Sequence, residues 1–237
     1  MSNSIRLAKR LAEQIPCSRQ ESEQYIAGGW VSVDGQVIEE PGYRIEQQQL
    51  VELHPKANLA PLTDITILWH KPAGVSADFL AHNLTLDKLA QGDRSGLRFL
   101  KRHTTNLTLT NPIETEASGL VVFSQDFNIN RKLIDGSAKI EQEFLVEVSG
   151  TIISGGLALL NHGLSWNGRT IAPVKVSWQN ETRLRFAIKG VQLQQIQHMC
   201  QQVGLSVVSM RRLRIGRISL SSLPMGEWRY LLGYERF

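Results

Sequence analysis

Between Pro16 and Gly35 the sequence leaves the backbone little choice. Pro16 cannot extend a helix that precedes it, because it lacks an N–H and its ring crowds the carbonyl of the previous turn. Ser18-Arg19-Gln20-Glu21 is a capping box and starts a second helix. Gly28-Gly29 stops that helix. Asp34-Gly35, set between Trp30-Val31-Ser32-Val33 and Gln36-Val37-Ile38, demands a two-residue hairpin turn. Upstream of Pro16, Leu7, Leu11 and Ile15 recur every fourth residue, the apolar stripe of a helix that Ser4 is placed to cap. Pro41-Gly42 marks another turn and Leu50 to Leu53 a strand. Helix, helix, hairpin and strand therefore fill residues 1–56 as one small unit.

Residues 57–63 carry little periodicity and read as a linker. Residues 64–237 form a second domain dominated by strand signals. Ile65 to Trp69 and Gly119 to Phe123 are short apolar runs. Ile140 to Val148 alternates, with Phe144, Val146 and Val148 on one face. Asn167-Gly168 marks a hairpin turn, followed by strands at Val174 to Trp178 and Arg183 to Ile188. A helix from Leu193 to Val203 ends at Gly204, and two further strands cover Leu205 to Met210 and Arg212 to Ile218. Hairpins mixed with a few helices define an α+β fold.

At 237 residues, with 42% hydrophobic and 20% charged, the chain is neither disordered nor fibrous. Cys17 and Cys200 are too few for a disulfide framework, and neither they nor the histidines show metal-ligand spacing, so no metal site is expected. No apolar run is long enough to span a membrane, and the start lacks a secretory core, so a cytoplasmic, monomeric protein is expected. The net charge of +4 permits a polyanionic partner without requiring one.

The landmarks together resemble two known modules in order. Arg6-Leu7, Cys17-Ser18-Arg19, Glu21, Ile26, Gly29, Val31, Val33-Asp34-Gly35 and Pro41 resemble the alpha-L RNA-binding domain. Lys71-Pro72-Ala73-Gly74, Ser118-Gly119-Leu120-Val121-Val122-Phe123, Glu143-Phe144-Leu145-Val146, Arg212-Leu213-Arg214-Ile215-Gly216 and Leu223-Pro224-Met225-Gly226-Glu227-Trp228-Arg229 resemble the catalytic domain of the RsuA-type RNA pseudouridine synthases. The resemblance implies isomerisation of a uridine in structured RNA, with ribosomal RNA the expected partner. It implies a base flipped out of its stack and no cofactor. It also implies a carboxylate at the reacting sugar or base, an arginine beside it and an aromatic ring on the uracil.

The family's catalytic loop reads Gly-Arg-Leu-Asp, and here it is Asn111-Pro112-Ile113-Glu114. Glu114 thus stands at the catalytic aspartate position and Phe144 at the stacking tyrosine position. The family's later Arg-Gln-Ile-Arg-Arg-Met becomes Gln194-Gln195-Ile196-Gln197-His198-Met199, which removes the basic residue expected beside the carboxylate. Two functions follow: a pseudouridine synthase that uses Glu114, or a non-enzymatic RNA-binding or ribosome-assembly factor with a lapsed pocket. Trp166 and Trp178 read as core aromatics.

Expected RNA contacts are Arg6, Lys9, Arg10, Arg19, Lys71, Arg98, Lys101, Arg102, Arg212 and Arg214. For Arg212 and Arg214 a structural ion pair is an open alternative. Residues 1–56 hold six basic and eight acidic side chains, and residues 205–237 hold six and two. Bulk electrostatic attraction is therefore expected from the C-terminal arginines, and selective contact from a few residues of the N-terminal module.

Overall fold

In the computed structural model, which describes residues 4–237, the chain divides into two units, one reaching Thr63 and including Arg98–His103, the other holding Asp64–Leu97 and Thr104–Phe237. Helix α1 (Leu7–Gln14) ends before Pro16, and α2 (Arg19–Ala27) starts on the capping box. The Ser18 hydroxyl accepts from the Glu21 N–H at 3.2 Å and the Glu21 carboxylate accepts from the Ser18 N–H at 2.7 Å. Ser4 does not cap α1. The helix is capped at Arg6, because Ile5–Arg6 is drawn into a short ribbon with Arg44–Ile45. Ser22, with no exposed surface, places its hydroxyl 2.9 Å from the Ala8 carbonyl, so one polar contact pins α2 against α1.

Strands β1 (Val31–Val33) and β2 (Gln36–Ile38) form the expected hairpin, with Asp34 and Gly35 both at positive φ. This is the geometry in which the turn twists with its strands. Strand β3 (Val51–Leu53) pairs on the other side of β1. Leu7, Leu11, Ile26, Val31, Ile45 and Val51 close the core of this unit. Arg98–His103 joins it from far along the chain. The Arg98 guanidinium lies 4.9 Å from the Trp30 ring centroid, and the Lys101 N–H donates to Glu39 at 2.6 Å. A Cβ on Gly29 would stand 3.0 Å from Leu100, so the glycine leaves room for this segment.

The second unit is built on one nine-stranded sheet. Its strands are β4 (Thr66–Lys71), β5 (Ser118–Ser124), β6 (Glu141–Gly150), β7 (Lys175–Trp178), β8 (Arg183–Lys189), β9 (Leu205–Ile215) and β10 (Trp228–Tyr230), with Thr108–Leu109 and Ile218–Ser219 at the margins. The order is β7-β8-β6-β9-β5-β4-β10, antiparallel except where β9 meets β5. Leu68, Leu120, Val122 and Ile215 bury one part of it with Leu133 of helix α3 (Phe127–Ile134). The α+β architecture, mainly antiparallel, is as expected.

The region from Leu205 to Ile215 is one strand where two were expected. Its register slips twice against β6, between Val207 and Ser209 and between Arg212 and Arg214. The slips are bulges, which let one strand change the face its side chains address. The parallel contact of β9 with β5 depends on Gly119, at φ +115. A Cβ there would sit 2.3 Å from the Arg212 carbonyl oxygen. Gly119→Ala is therefore expected to cost about 3 kcal/mol or more of unfolding free energy in urea titration, through steric and backbone strain together.

The His103 ring is buried, and its Nδ1 accepts from the Leu100 N–H at 3.3 Å. Burial, reinforced by Arg102, lowers its pKa from 6.5 to about 4. Below pH 6.5 the unfolded chain takes up a proton here that the folded chain refuses, so stability falls as the pH drops from about 6.5 to 4. Urea midpoints measured across that range are expected to decline less in His103→Gln than in the parent chain.

Candidate active site

The loop Asn111–Glu114 leads into β5. Its backbone is tied down at Thr110, whose N–H donates to the Val122 carbonyl at 3.1 Å. The Asn111 side-chain amide donates to the Leu133 carbonyl at 3.0 Å, and Ile113 is buried. Glu114 closes the loop with its side chain half-buried. Its carboxylate accepts the Gln194 N–H at 2.6 Å. Gln194 is the left-handed N-cap of helix α4 (Gln195–Gln202), so the carboxylate meets the positive end of that helix.

Under the loop lies Arg212, 1% exposed. Its three donor groups reach the Leu120 carbonyl at 2.7 Å, Gln142 Oε1 at 3.0 Å and the Asn111 carbonyl at 2.6 Å. Its guanidinium carbon is 5.9 Å from the Phe144 ring centroid. Burial draws the Arg212 pKa down to about 9, and the charge of Glu114 opposes that shift. On the other side, Lys71 is fully buried and donates to the carbonyls of Pro72, Val75 and Thr115 at 3.0, 2.6 and 2.9 Å. Its ammonium stitches the Lys71–Gly74 turn to the loop residue beside Glu114. Burial lowers its pKa to about 8, against the pull of Glu116 and Glu114. Two buried cations thus set a positive potential at the loop carboxylate. No cation is within ion-pair distance of it among the described residues.

Several expected contacts change place. Lys71 and Arg212 are interior scaffolding: both are buried, and each nitrogen of their charged groups donates to the fold. Arg214 is no phosphate contact either: it pairs with Glu141 at 2.7 Å and Glu143 at 3.2 Å, and Arg185 joins Glu143 at 2.6 Å. Arg229 pairs with Glu235 at 2.7 Å. Three of the six C-terminal arginines are thus consumed internally, and Arg211, Arg217 and Arg236 are left exposed. Phe144, expected as an open stacking ring, is 2% exposed and lies between Phe186 and Arg212 in the sheet.

On the first unit, Arg6 is exposed and Arg10 half-buried. Lys9 and Arg19 form exposed pairs with Glu13 and Glu23 at 3.9 and 3.1 Å. Exposed pairs of this kind cost little to break, so both cations remain available to an anion. Arg98 stacks on Trp30, and Arg102 donates to the Thr63 carbonyl at 2.8 Å. The Lys101 backbone is held by Glu39. The substituted segment Gln194–Met199 supplies no cation. The buried charge of Arg212, on β9, acts on Glu114 without pairing with it.

Among the described residues no group of three or more His, Cys, Asp or Glu gathers to hold a metal, and no helix is long and apolar enough to cross a membrane. Residues 5–51 match the S4 domain family. The dual-specificity RNA pseudouridine synthase RluF of Escherichia coli K12 is 25% identical over 239 residues, covering 98% of this chain and 77% of its own. The ribosomal small subunit pseudouridine synthase A of Vibrio cholerae is 24% identical over 242 residues, covering 98% and 97%. A crystal structure of a pseudouridylate synthase superposes with a TM-score of 0.59 at 19% identity, covering 96% of both chains, and shares the fold. Over nearly its whole length the chain is similar to RsuA-type pseudouridine synthases, and its N-terminal residues match the S4 domain.

The Arg212 hydrogen bonds give the site its testable energetic signature. Arg212→Met keeps the stem but strands three buried acceptors, each worth about 1–3 kcal/mol when left unpaired. A loss of about 3 kcal/mol or more is expected in equilibrium unfolding. Arg211→Met, an exposed neighbour on the same strand, is expected to change stability by less than about 0.5 kcal/mol.

Proposed function

We propose that this protein isomerises a uridine of ribosomal RNA to pseudouridine, with Glu114 as the reacting carboxylate. The observation that carries the reading is the position of Glu114: held at the start of α4 by the Gln194 amide, above buried Arg212 and beside buried Lys71. A carboxylate in such surroundings is pre-positioned to attack, or to take a proton from, a sugar or base brought to it. The extra methylene relative to aspartate moves the charge by about 1.5 Å, a displacement large enough to matter at a reacting centre. The anchoring to Gln194, 80 residues away, offsets that by fixing where the longer side chain ends. The S4 domain presents exposed Arg6, Lys9 and Arg19 for RNA backbone contact.

A second reading, RNA binding without catalysis, is favoured by the burial of Phe144, since an aromatic ring without a free face cannot stack on a base unless the strand or its cover moves. The two are separated by tritium release from carbon-five-labelled uridine in ribosomal RNA transcripts. Release is expected from the parent chain and not from Glu114→Gln, which keeps the size and removes the charge. Glu114→Asp is expected to retain activity altered by on the order of 10²-fold, the scale of a 1 Å misplacement. RNA binding with no tritium release from the parent chain rejects the catalytic reading.

A further inference from the structure

A cleft of about 580 Å³ opens beside the hairpin Ser165–Thr170. Asn167 and Gly168, at φ 49 and 73, make its two-residue turn and set Trp166 directly opposite Arg169. Directly opposed residues share a face of the ribbon, so indole and guanidinium address the cleft together. Trp166 is not a core aromatic, as its place in the sequence suggested. It is half-buried, its N–H donates to Gln192 Oε1 at 3.0 Å, and its ring centroid lies 5.0 Å from that of His198. The indole is thus clamped at its edge.

Lys189 brings a second exposed cation to the rim, and no carboxylate lines the cleft. Ile188 gives an apolar floor. Gln192 and Gln195 add amides that donate and accept. A fixed aromatic ring, two cations without an acid, and paired amides match the three parts of a nucleotide: base face, phosphate and base edge. The cleft is also placed with respect to Glu114. Gln194 holds the carboxylate and the next residue, Gln195, lines the cleft, so adjacent residues serve the two.

We infer that this cleft binds one unpaired nucleotide of the RNA next to the one presented to Glu114, its base on Trp166 and its phosphate between Arg169 and Lys189. The inference rests on the RNA-substrate reading above. It assigns the stacking role for the adjacent nucleotide to a residue the family motifs do not mark.

The test is filter binding of the full chain to ribosomal RNA transcripts and to an oligouridylate across a salt series. Trp166→Ala is expected to weaken binding roughly ten-fold, within the range for loss of one base stack, while Trp166→Phe retains most of the affinity. Arg169→Gln combined with Lys189→Gln alters only exposed side chains, and stays informative if Trp166→Ala fails to fold. That pair is expected to lower the slope of log affinity against log salt by about one to two. A folded Trp166→Ala that binds within two-fold of the parent, or an unchanged salt slope in the double variant, overturns the cleft assignment while leaving RNA binding intact. A parent chain that binds neither RNA overturns the RNA reading and the cleft with it.

Discussion

The second unit turns on one buried guanidinium. Arg212 is almost wholly buried, and its charge is stabilised there by two carbonyls and an amide oxygen, one on each guanidinium nitrogen. Those acceptors come from β5, from β6 and from the loop that ends in Glu114. Satisfying one side chain therefore fixes three segments, and it does so at the point where the sheet's parallel pair meets its antiparallel majority. Gly119 is the other half of the arrangement, since only a residue without Cβ lets β9 come close enough to aim Arg212 inward.

That dependence explains how a divergent loop keeps its shape. The residues before Glu114 have changed relative to the family, yet the loop is held through the Asn111 carbonyl, a backbone group that every residue type supplies. Substitution at Asn111 or Pro112 leaves the hydrogen bond to Arg212 intact in kind. The carboxylate, by contrast, is held through its own side chain, by the Gln194 N–H. Scaffold and carboxylate are anchored independently, and a loop can lose sequence identity without losing position.

Much of the first unit is legible in the sequence because its signals are local. A capping box, a Gly pair and an Asp-Gly turn each act within four residues of themselves. The failure at Ser4 has a non-local cause, the pairing of Ile5–Arg6 with Arg44–Ile45. In the second unit motif order places Glu114 in a loop and Phe144 on a strand, though it does not reveal the burial of Phe144, and the strands are legible from alternation. The roles of Lys71, Arg212 and Arg214 are not, because a basic residue in a strand looks the same whether it faces solvent, an acid or a cage of carbonyls. The bulge that turns Arg212 inward and leaves Arg214 beside Glu143 exists only against β6. Trp166 was hidden differently: aromatic residues are usually core, and only the hairpin's pairing shows this one at a rim.

The segment Arg98–His103 carries a consequence for how the protein is made. It completes the first unit, covering Trp30 and filling the space over Gly29, yet it lies about forty residues beyond Thr63 in the chain. At 5–20 residues per second, a ribosome needs on the order of 2–8 s to synthesise that stretch. For that interval Trp30 has His54 beside it but lacks its Arg98 partner, and the space over Gly29 is unfilled. A fragment cut at the apparent domain boundary would lack that segment altogether. The boundary along the chain and the boundary of the folded unit are different things, and expression of the isolated RNA-binding module has to respect the second.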